Sequence, residues 1–287
     1  MVKTSVIIAT YRRPEPLARL IKSLAPQLVS GKHELLIAEN GTPFPTPLVK
    51  YPFAIVHLHN PIAGKCRIQN EAIRQARGAI IVCLDDDLTV AADYLGEVER
   101  FFDTYPEYAA MKGRTVAAED PVAKAGAAAV WLDLPIVDHG DEVIEVRGVL
   151  GANMAFRAAA LAQVGPFDER LGPGAAGHEE ETEMSARLRR AGLKIGYAPH
   201  ATVYHEVDAA RANRERFLRI ARERGRARMI HERHGGMAIR AAVAIAALRT
   251  MVARIAGAGA ERMAREEKRL AIARGMLDGL REGIGNR

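Results

Sequence analysis

Cysteine is nearly absent: Cys66 and Cys83 are the only two in 287 residues. Each lies in an apolar or helical stretch, too few for a disulfide scaffold and wrongly spaced for a zinc site, so a reducing cytoplasm is the expected compartment. Long apolar runs are missing too. The N-terminus reaches only four strongly apolar residues before Thr10 and two arginines, and is expected to be neither a signal peptide nor an anchor. A later apolar run, residues 241–248, is bounded by Arg240 and Arg249 and reads as far too short to cross a bilayer. No Gly-x-x-x-x-Gly-Lys phosphate loop occurs, which removes the main support for an ordinary ATPase. No aromatic-basic module and no internal repeat are visible, and Trp131 is the single tryptophan.

What is present is the balance of a folded globular chain, with 48% apolar and 26% charged residues; disorder is expected only at the termini. The length suits one catalytic unit with an appendage. Net charge is +6 but uneven, because residues 206–287 carry 19 Arg and Lys against 10 Asp and Glu. A basic tail on a mildly acidic body points to an anionic surface, with a solvated helical face as the plain alternative.

Residues 6–9 form a short apolar run with β-branched character. Pro14 then opens a helical pattern with Leu17, Leu20, Ile21, Leu24 and Leu28 on one face. Residues 35–38 and 55–58 read as two more strands, residues 65–77 as a helix closed by Gly78, and residues 79–84 as a fourth strand. Continuous apolar strands alternating with helices predict an α/β fold with a mostly parallel sheet flanked by helices. Ligands then bind beyond the carboxyl ends of the strands, where Thr10, Tyr11, Arg12, Glu39, Asn40, Asp85, Asp86 and Asp87 lie. From residue 114 to 147 the pattern weakens into loops and short antiparallel strands. A helix is expected from about Glu180 to Gly192, and almost wholly helical chain beyond residue 206.

Three consecutive aspartates after a buried strand repel one another unless a cation or protons neutralise them. Oxygen ligands suit magnesium or manganese, which share their remaining positions with substrate phosphates. A solvated turn is the structural alternative. A calcium loop fails, because its sixth position would be Val90 and its twelfth Gly96. The run Gly172-Pro173-Gly174-Ala175-Ala176-Gly177 has the spacing of a dinucleotide fingerprint, but follows no strand and is followed by Glu179, Glu180 and Glu181, which would repel a pyrophosphate. Those acids open a helix, where they favour the dipole, and their crowding would raise the pKa of at least one towards that of a general base. Adjacent helix positions are about 100° apart, so only one of Glu180 and Glu181 is expected to face a common atom. Glu183 has Arg187 four residues on for an ordinary surface pair. His205, at the end of an apolar run, becomes a ligand only if it converges with the aspartates on one cation.

Taken together these segments resemble the inverting glycosyltransferase family 2, with the GT-A fold, over roughly residues 4–206. Residues 5–14 are similar to the family's first strand and nucleotide-contacting turn, with Arg12 where Asn is usual. Glu39-Asn40-Gly41 resembles its second, base-contacting segment. The Gly64-to-Asn70 segment, with Lys65 and Arg67, is similar to the helix start that lies against the nucleotide and its phosphates. By the same resemblance Asp85-Asp86-Asp87 matches the Asp-x-Asp motif, the first acid meeting the ribose and Asp87 holding the metal with His205. Gly151 and Asn153 fall near the transferred sugar and acceptor, where Trp131 and Glu180 are also expected. Glu181 stands where the family's catalytic base stands, as Glu in place of the usual Asp.

The resemblance implies a metal-dependent transfer, with Mn2+ or Mg2+, from a nucleotide-diphospho-sugar, most commonly of UDP. The acceptor would be the hydroxyl of a saccharide or lipid-linked molecule, as in cell-surface polysaccharide or glycolipid synthesis. It assigns residues 1–205 to the catalytic domain, with a nucleotide part to about 113 and an acceptor part over about 114–205, and residues 206–287 to a basic helical extension. That extension is expected to touch the inner face of an anionic membrane without crossing it, and no nucleic-acid partner is expected. A sugar-nucleotide pyrophosphorylase is disfavoured, since residues 9–14 contain no glycine for its phosphate loop. An RNA-binding role for the tail lacks a recognisable module.

Overall fold

The computed structural model describes residues 2–41, 53 and 55–284. These divide into two compact units, the first comprising residues 1–118, 134–169 and 180–206, and the second residues 119–133, 170–179 and 207–287. The second unit thus takes in two stretches that precede residue 206 in the chain.

The first unit is built on strands β1 (Thr4–Thr10), β2 (His33–Asn40), β3 (Ile55–Asn60), β4 (Ile80–Asp85), β5 (Leu88–Val90), β6 (Tyr108–Ala117), β7 (Ile144–Glu145), β8 (Asn153–Arg157) and β9 (Lys194–His205). They join in one sheet in the order β3-β2-β1-β4-β8-β6-β9-β5, with β7 on β9. The first four run parallel, while β8 is antiparallel to both β4 and β6. Helices α1 (Pro14–Leu24), α2 (Lys65–Gln75) and α3 (Tyr94–Thr104) alternate with these strands.

Burial on both faces explains the unbroken apolar strands. In β1, Val6 and Ile8 pack with Leu17, Leu20, Ile21 and Leu24 of α1 in one core. Ile7 faces the other way, into a second core with Cys66, Ile68 and Ala72 of α2. Each fully buried Leu or Ile contributes about 1.5–3 kcal/mol relative to exposure. Pro14 sits in the first turn of α1, where the missing N–H costs no helical bond.

Helix α2 stops at Gln75, short of the expected Arg77, and Gly78 is not its cap. The glycine serves close packing instead: a Cβ there would run into the Ser5 backbone nitrogen of β1.

The second unit holds α4 (Pro121–Ala125), and the first α5 (Ala158–Val164) and α6 (Glu180–Arg190). Three long helices complete the second unit, α7 (Arg214–His231), α8 (Gly236–Ile255) and α9 (Ala260–Arg281). Helices α7 and α9 meet through glycine: a Cβ on Gly275 would overlap the Arg222 carbonyl, and one on Gly225 the Ile272 carbonyl. Asp133 is held by Arg224 at 2.8 Å and Lys268 at 2.7 Å, and Glu179 by Arg228 at 3.2 Å.

Helix α8 corrects the length argument drawn from residues 241–248. It spans 20 residues with a mean hydropathy of 1.5, long and apolar enough to cross a membrane by length and composition, and only 22% of its apolar window is buried. The arginines that bounded the run lie inside the helix and do not end it, because an exposed Arg is a good helix former.

Candidate active site

The parallel register brings the chemistry together. Thr10 on β1 lies beside Glu39 on β2, and Ala9 lies beside Asp85 on β4, so three strand ends open at one edge. Asn40 ties them: its amide donates to the Thr10 carbonyl at 2.9 Å, and its oxygen accepts from Gly64 N–H at 3.1 Å. That side chain is buried and spent on positioning the loops.

The aspartates differ sharply. Asp86 is buried, accepts from Thr10 Oγ1 at 2.7 Å and pairs with Arg13 Nη1 at 2.5 Å. Burial still outweighs those contacts and pushes its pKa up to about 6. Asp87 is equally buried, yet its carboxyl is held well below the usual range, because His205 and Arg13 overcome the cost of burial. Arg13 Nη2 lies 2.9 Å from Asp87 Oδ2 and His205 Nε2 lies 3.2 Å from Asp87 Oδ1. Asp85 faces a different cation, Lys65, at 2.7 Å.

Lys65 links this run to the acidic helix, for its ammonium is also 3.5 Å from Glu180 Oε1. Burial opposes the lysine's charge, but Asp85 and Glu180 raise its pKa well above the ordinary value. Glu180 is itself pushed up to about 8, first by burial and then by the charge of Glu181, with Lys65 opposing. A Cβ built on Gly151 would lie 3.5 Å from Lys65 Nζ, 3.9 Å from Glu180 Oε1 and 4.0 Å from Glu181 Cδ. Both carboxyls therefore reach one point, contrary to the expectation from the 100° helical step. Position 180 is the first of α6, and long glutamate side chains converge across that angle. Glu183 is not part of this group; it forms the i,i+4 pair with Arg187 at 2.8 Å, buried rather than on the surface as expected.

On the side away from the aspartates, Glu39 is buried and hydrogen-bonded to His57 Nε2 at 2.8 Å. Tyr11 packs over Gly41, where a Cβ would strike its ring, and Arg12 lies over the same ring at 5.6 Å with a positive φ of 53°. An aromatic face beside a buried acid suits a planar base.

Two donors at Asp87 and His205 test the cation reading. His205 Nδ1 is 2.9 Å from the Glu206 carbonyl, to which it donates, and this aims Nε2 at Asp87. A carbonyl acceptor behind the ring is the arrangement that orients a metal-ligating histidine. Adjacent ligands on an octahedral cation with bonds of about 2.1 Å stand about 3 Å apart, close to the observed 3.2 Å. Among the described residues no three His, Cys, Asp or Glu side chains form a metal site by themselves. The pair fits two adjacent positions on such a cation.

Several expected residues are placed otherwise. Asn153 is fully buried and its polar atoms are spent: Oδ1 accepts from Tyr94, and Nδ2 donates to the Arg114 and Ala201 carbonyls. That makes it a strut between strands, with no hydrogen left for an acceptor sugar. Arg67 pairs with Glu169 at 3.4 Å. Trp131 belongs to the second unit, where it packs edge-on against Phe217 at 5.7 Å.

Sequence reasoning missed Arg13, His57 and Lys112. The first could have been found by asking which cation answers the third aspartate. Lys112 on β6 is partly buried and its pKa is lowered by that burial, with Glu181 the opposing charge. Nothing in its local sequence marks it.

Residues 5–162 match the family described as glycosyl transferase family 2. The chain is 28% identical over 242 residues to the succinoglycan biosynthesis protein ExoM of Rhizobium meliloti strain 1021, covering 79% of this chain and 73% of that protein. It is 23% identical over 221 residues to the glucosyl-dolichyl phosphate glucuronosyltransferase of Haloferax volcanii, covering 72% and 70%. Among solved structures it resembles the mannosyltransferase PcManGT from Pyrobaculum calidifontis, determined with GDP-Man and Mn2+, with a TM-score of 0.65 and 17% identity over 98% of this chain and 87% of that one. The fold is GT-A.

Proposed function

Because the chain belongs to glycosyl transferase family 2, we propose that this glycosyltransferase moves a sugar from a nucleoside diphosphate to an acceptor hydroxyl with inversion, UDP being the first donor to test. One observation carries this reading: Lys65 bridges Asp85 at the β4 end to Glu180 of α6. Groups that would bind the diphosphate and accept the proton thereby meet at one lysine.

Tyr11, Glu39 and His57 would bind the base, and Asp85 the ribose. Asp87 and His205 would hold a manganese or magnesium ion, which when bound supplies Lewis-acid neutralisation of the departing diphosphate. The acceptor oxygen attacks the anomeric carbon while its proton passes to a carboxylate of the Glu180–Glu181 pair. The bond from that carbon to the diphosphate oxygen breaks, and its electrons leave with the nucleoside diphosphate.

Glu181 is the proton acceptor in this scheme. At neutral pH Glu180, with its pKa near 8, holds its proton. A carboxyl that already holds a proton cannot accept another, which leaves Glu181 for the role.

The helical unit supports a reading of the acceptor class. Met237, Ile245, Leu248, Val252 and Ile255 are exposed on α8, and Arg240, Arg249 and Arg254 stand on the same helix. An apolar stripe with basic neighbours suits a helix lying in an anionic membrane surface. A lipid-linked acceptor, in polysaccharide or glycolipid synthesis, would then be presented at that surface. Calorimetric titration with UDP-, TDP- and GDP-sugars plus manganese tests the donor; heat from none of them would overturn the reading.

A further inference from the structure

The second unit contains a cavity of about 640 Å³ walled by α7, α8 and α9. Its volume is that of a small-molecule site. Leu218, Met251, Ile255 and Leu270 give it an apolar lining, and Arg214, Arg219, Arg222, Arg254 and Arg274 add five guanidinium groups.

Against these five arginines the lining has two acids, Glu215 and Glu267, so its charges are incompletely matched. Glu267 is shared between Arg214 at 2.8 Å and Arg254 at 3.5 Å. Arg222 pairs with Asp278 and Arg219 with Glu223. Arg274 makes no ion pair or hydrogen bond among the described residues. The paired arginines are all more than half exposed, so each keeps a solvent-facing side that an incoming anion can reach.

Two lining residues, Met251 and Ile255, are 53% and 78% exposed and belong to the apolar stripe of α8. The apolar lining therefore continues out of the cavity along that helix. A free anion would leave the apolar wall unused, and a plain hydrocarbon would leave the arginines unused. An amphiphile with an anionic head uses both.

We propose that this cavity binds the phosphate headgroup of a membrane lipid, with the first carbons of its chain on Leu218, Met251 and Ile255 and the remainder along α8. The proposal rests on the reading of α8 as membrane-facing and adds to it a defined site for one lipid. A guanidinium takes phosphate in a two-pronged geometry that a lysine cannot match, and every cation lining this cavity is arginine.

The probe is dodecyl phosphate below its micelle concentration, titrated calorimetrically into the full chain, with inorganic phosphate and dodecyl maltoside as head-only and chain-only controls. One dodecyl phosphate per chain is expected, with either control at least about ten-fold weaker. Arg274→Glu, and Ala247→Trp, which fills the cavity, should each reduce binding about ten-fold or more, while Arg262→Ala, outside the cavity, should not. Circular dichroism melting shows that each variant is folded, and Arg274→Ala replaces any that is not. Equal binding of inorganic phosphate would make this a free-anion site, and equal binding of dodecyl maltoside a neutral-chain site; either overturns the proposal, as does displacement by a short oligoribonucleotide. If anionic vesicles still retain the chain while the cavity variants bind dodecyl phosphate normally, the cavity proposal fails and the membrane reading stands.

Discussion

Arg13 Nη2 lies 2.9 Å from Asp87 Oδ2, while its other terminal nitrogen holds Asp86. The residue that precedes α1 thus supplies a positive charge to two adjacent buried carboxylates. Arg13→Gln leaves Asp86 without its cation and Asp87 with His205 alone, and should destabilise the first unit by about 2–3 kcal/mol, a modest value for a partly exposed partner. Urea denaturation measures this. Manganese should restore part of the loss; a variant as stable as the parent would remove Arg13 from this role.

Binding of a nucleoside diphosphate should depend on a divalent cation, since Asp87 and the diphosphate are both acceptor-only anions that join through a shared ion. Chelation, Asp87→Ala and His205→Ala should each weaken binding of UDP or GDP about ten-fold or more in calorimetric titration. Undiminished turnover in excess EDTA would overturn the metal assignment.

Glu181→Gln should keep donor affinity and lower kcat by about 10² or more, because it removes the proton acceptor and little else. Glu180→Gln mimics the protonated state already favoured at neutral pH, so its kcat should fall far less. The reverse ranking in steady-state assays would move the base one position earlier.

The raised pKa of Glu180, about 8 against an ordinary 4.5, has a pH consequence with a definite sign. Between those values the folded chain binds a proton that the unfolded chain has released. Stability linked to this group is therefore fully present below about pH 4.5 and is lost as pH rises through 8. Glu180→Gln should melt higher than the parent at pH 9, with the gap closing towards pH 4.5. Parallel melting curves across that range would count against a buried, protonated Glu180.

Gly275→Ala should destabilise the helical unit although alanine is the better helix former by about 1 kcal/mol. Its Cβ would overlap the Arg222 carbonyl, and backbone cannot yield as a side chain does. A net loss of about 1–3 kcal/mol is expected in denaturant unfolding. A gain would mean that α7 and α9 separate without cost.

Local pattern was enough to find α1, because Leu17, Leu20, Ile21 and Leu24 recur at helical spacing and each must be buried. It was enough to find β1 and β4, whose apolar residues are needed on both faces. It also placed Glu183 with Arg187, since four residues along a helix is a fixed distance. It overreached at Gly78, where a glycine wanted for close packing looks the same in sequence as a helix cap.

The strand ends and their acids were determined by the sequence alone, because burial and like-charge repulsion are local facts about residues 4–10 and 80–87. Which cation answers which acid was decided only by tertiary structure. Arg13 stands 74 residues from Asp87, and Lys65 more than a hundred from Glu180, and pairing across such separations depends on strand order. The same holds for Asn153, whose polar atoms are spent on Tyr94, Arg114 and Ala201. A side chain's neighbours, not its identity, decide whether it is free to bind.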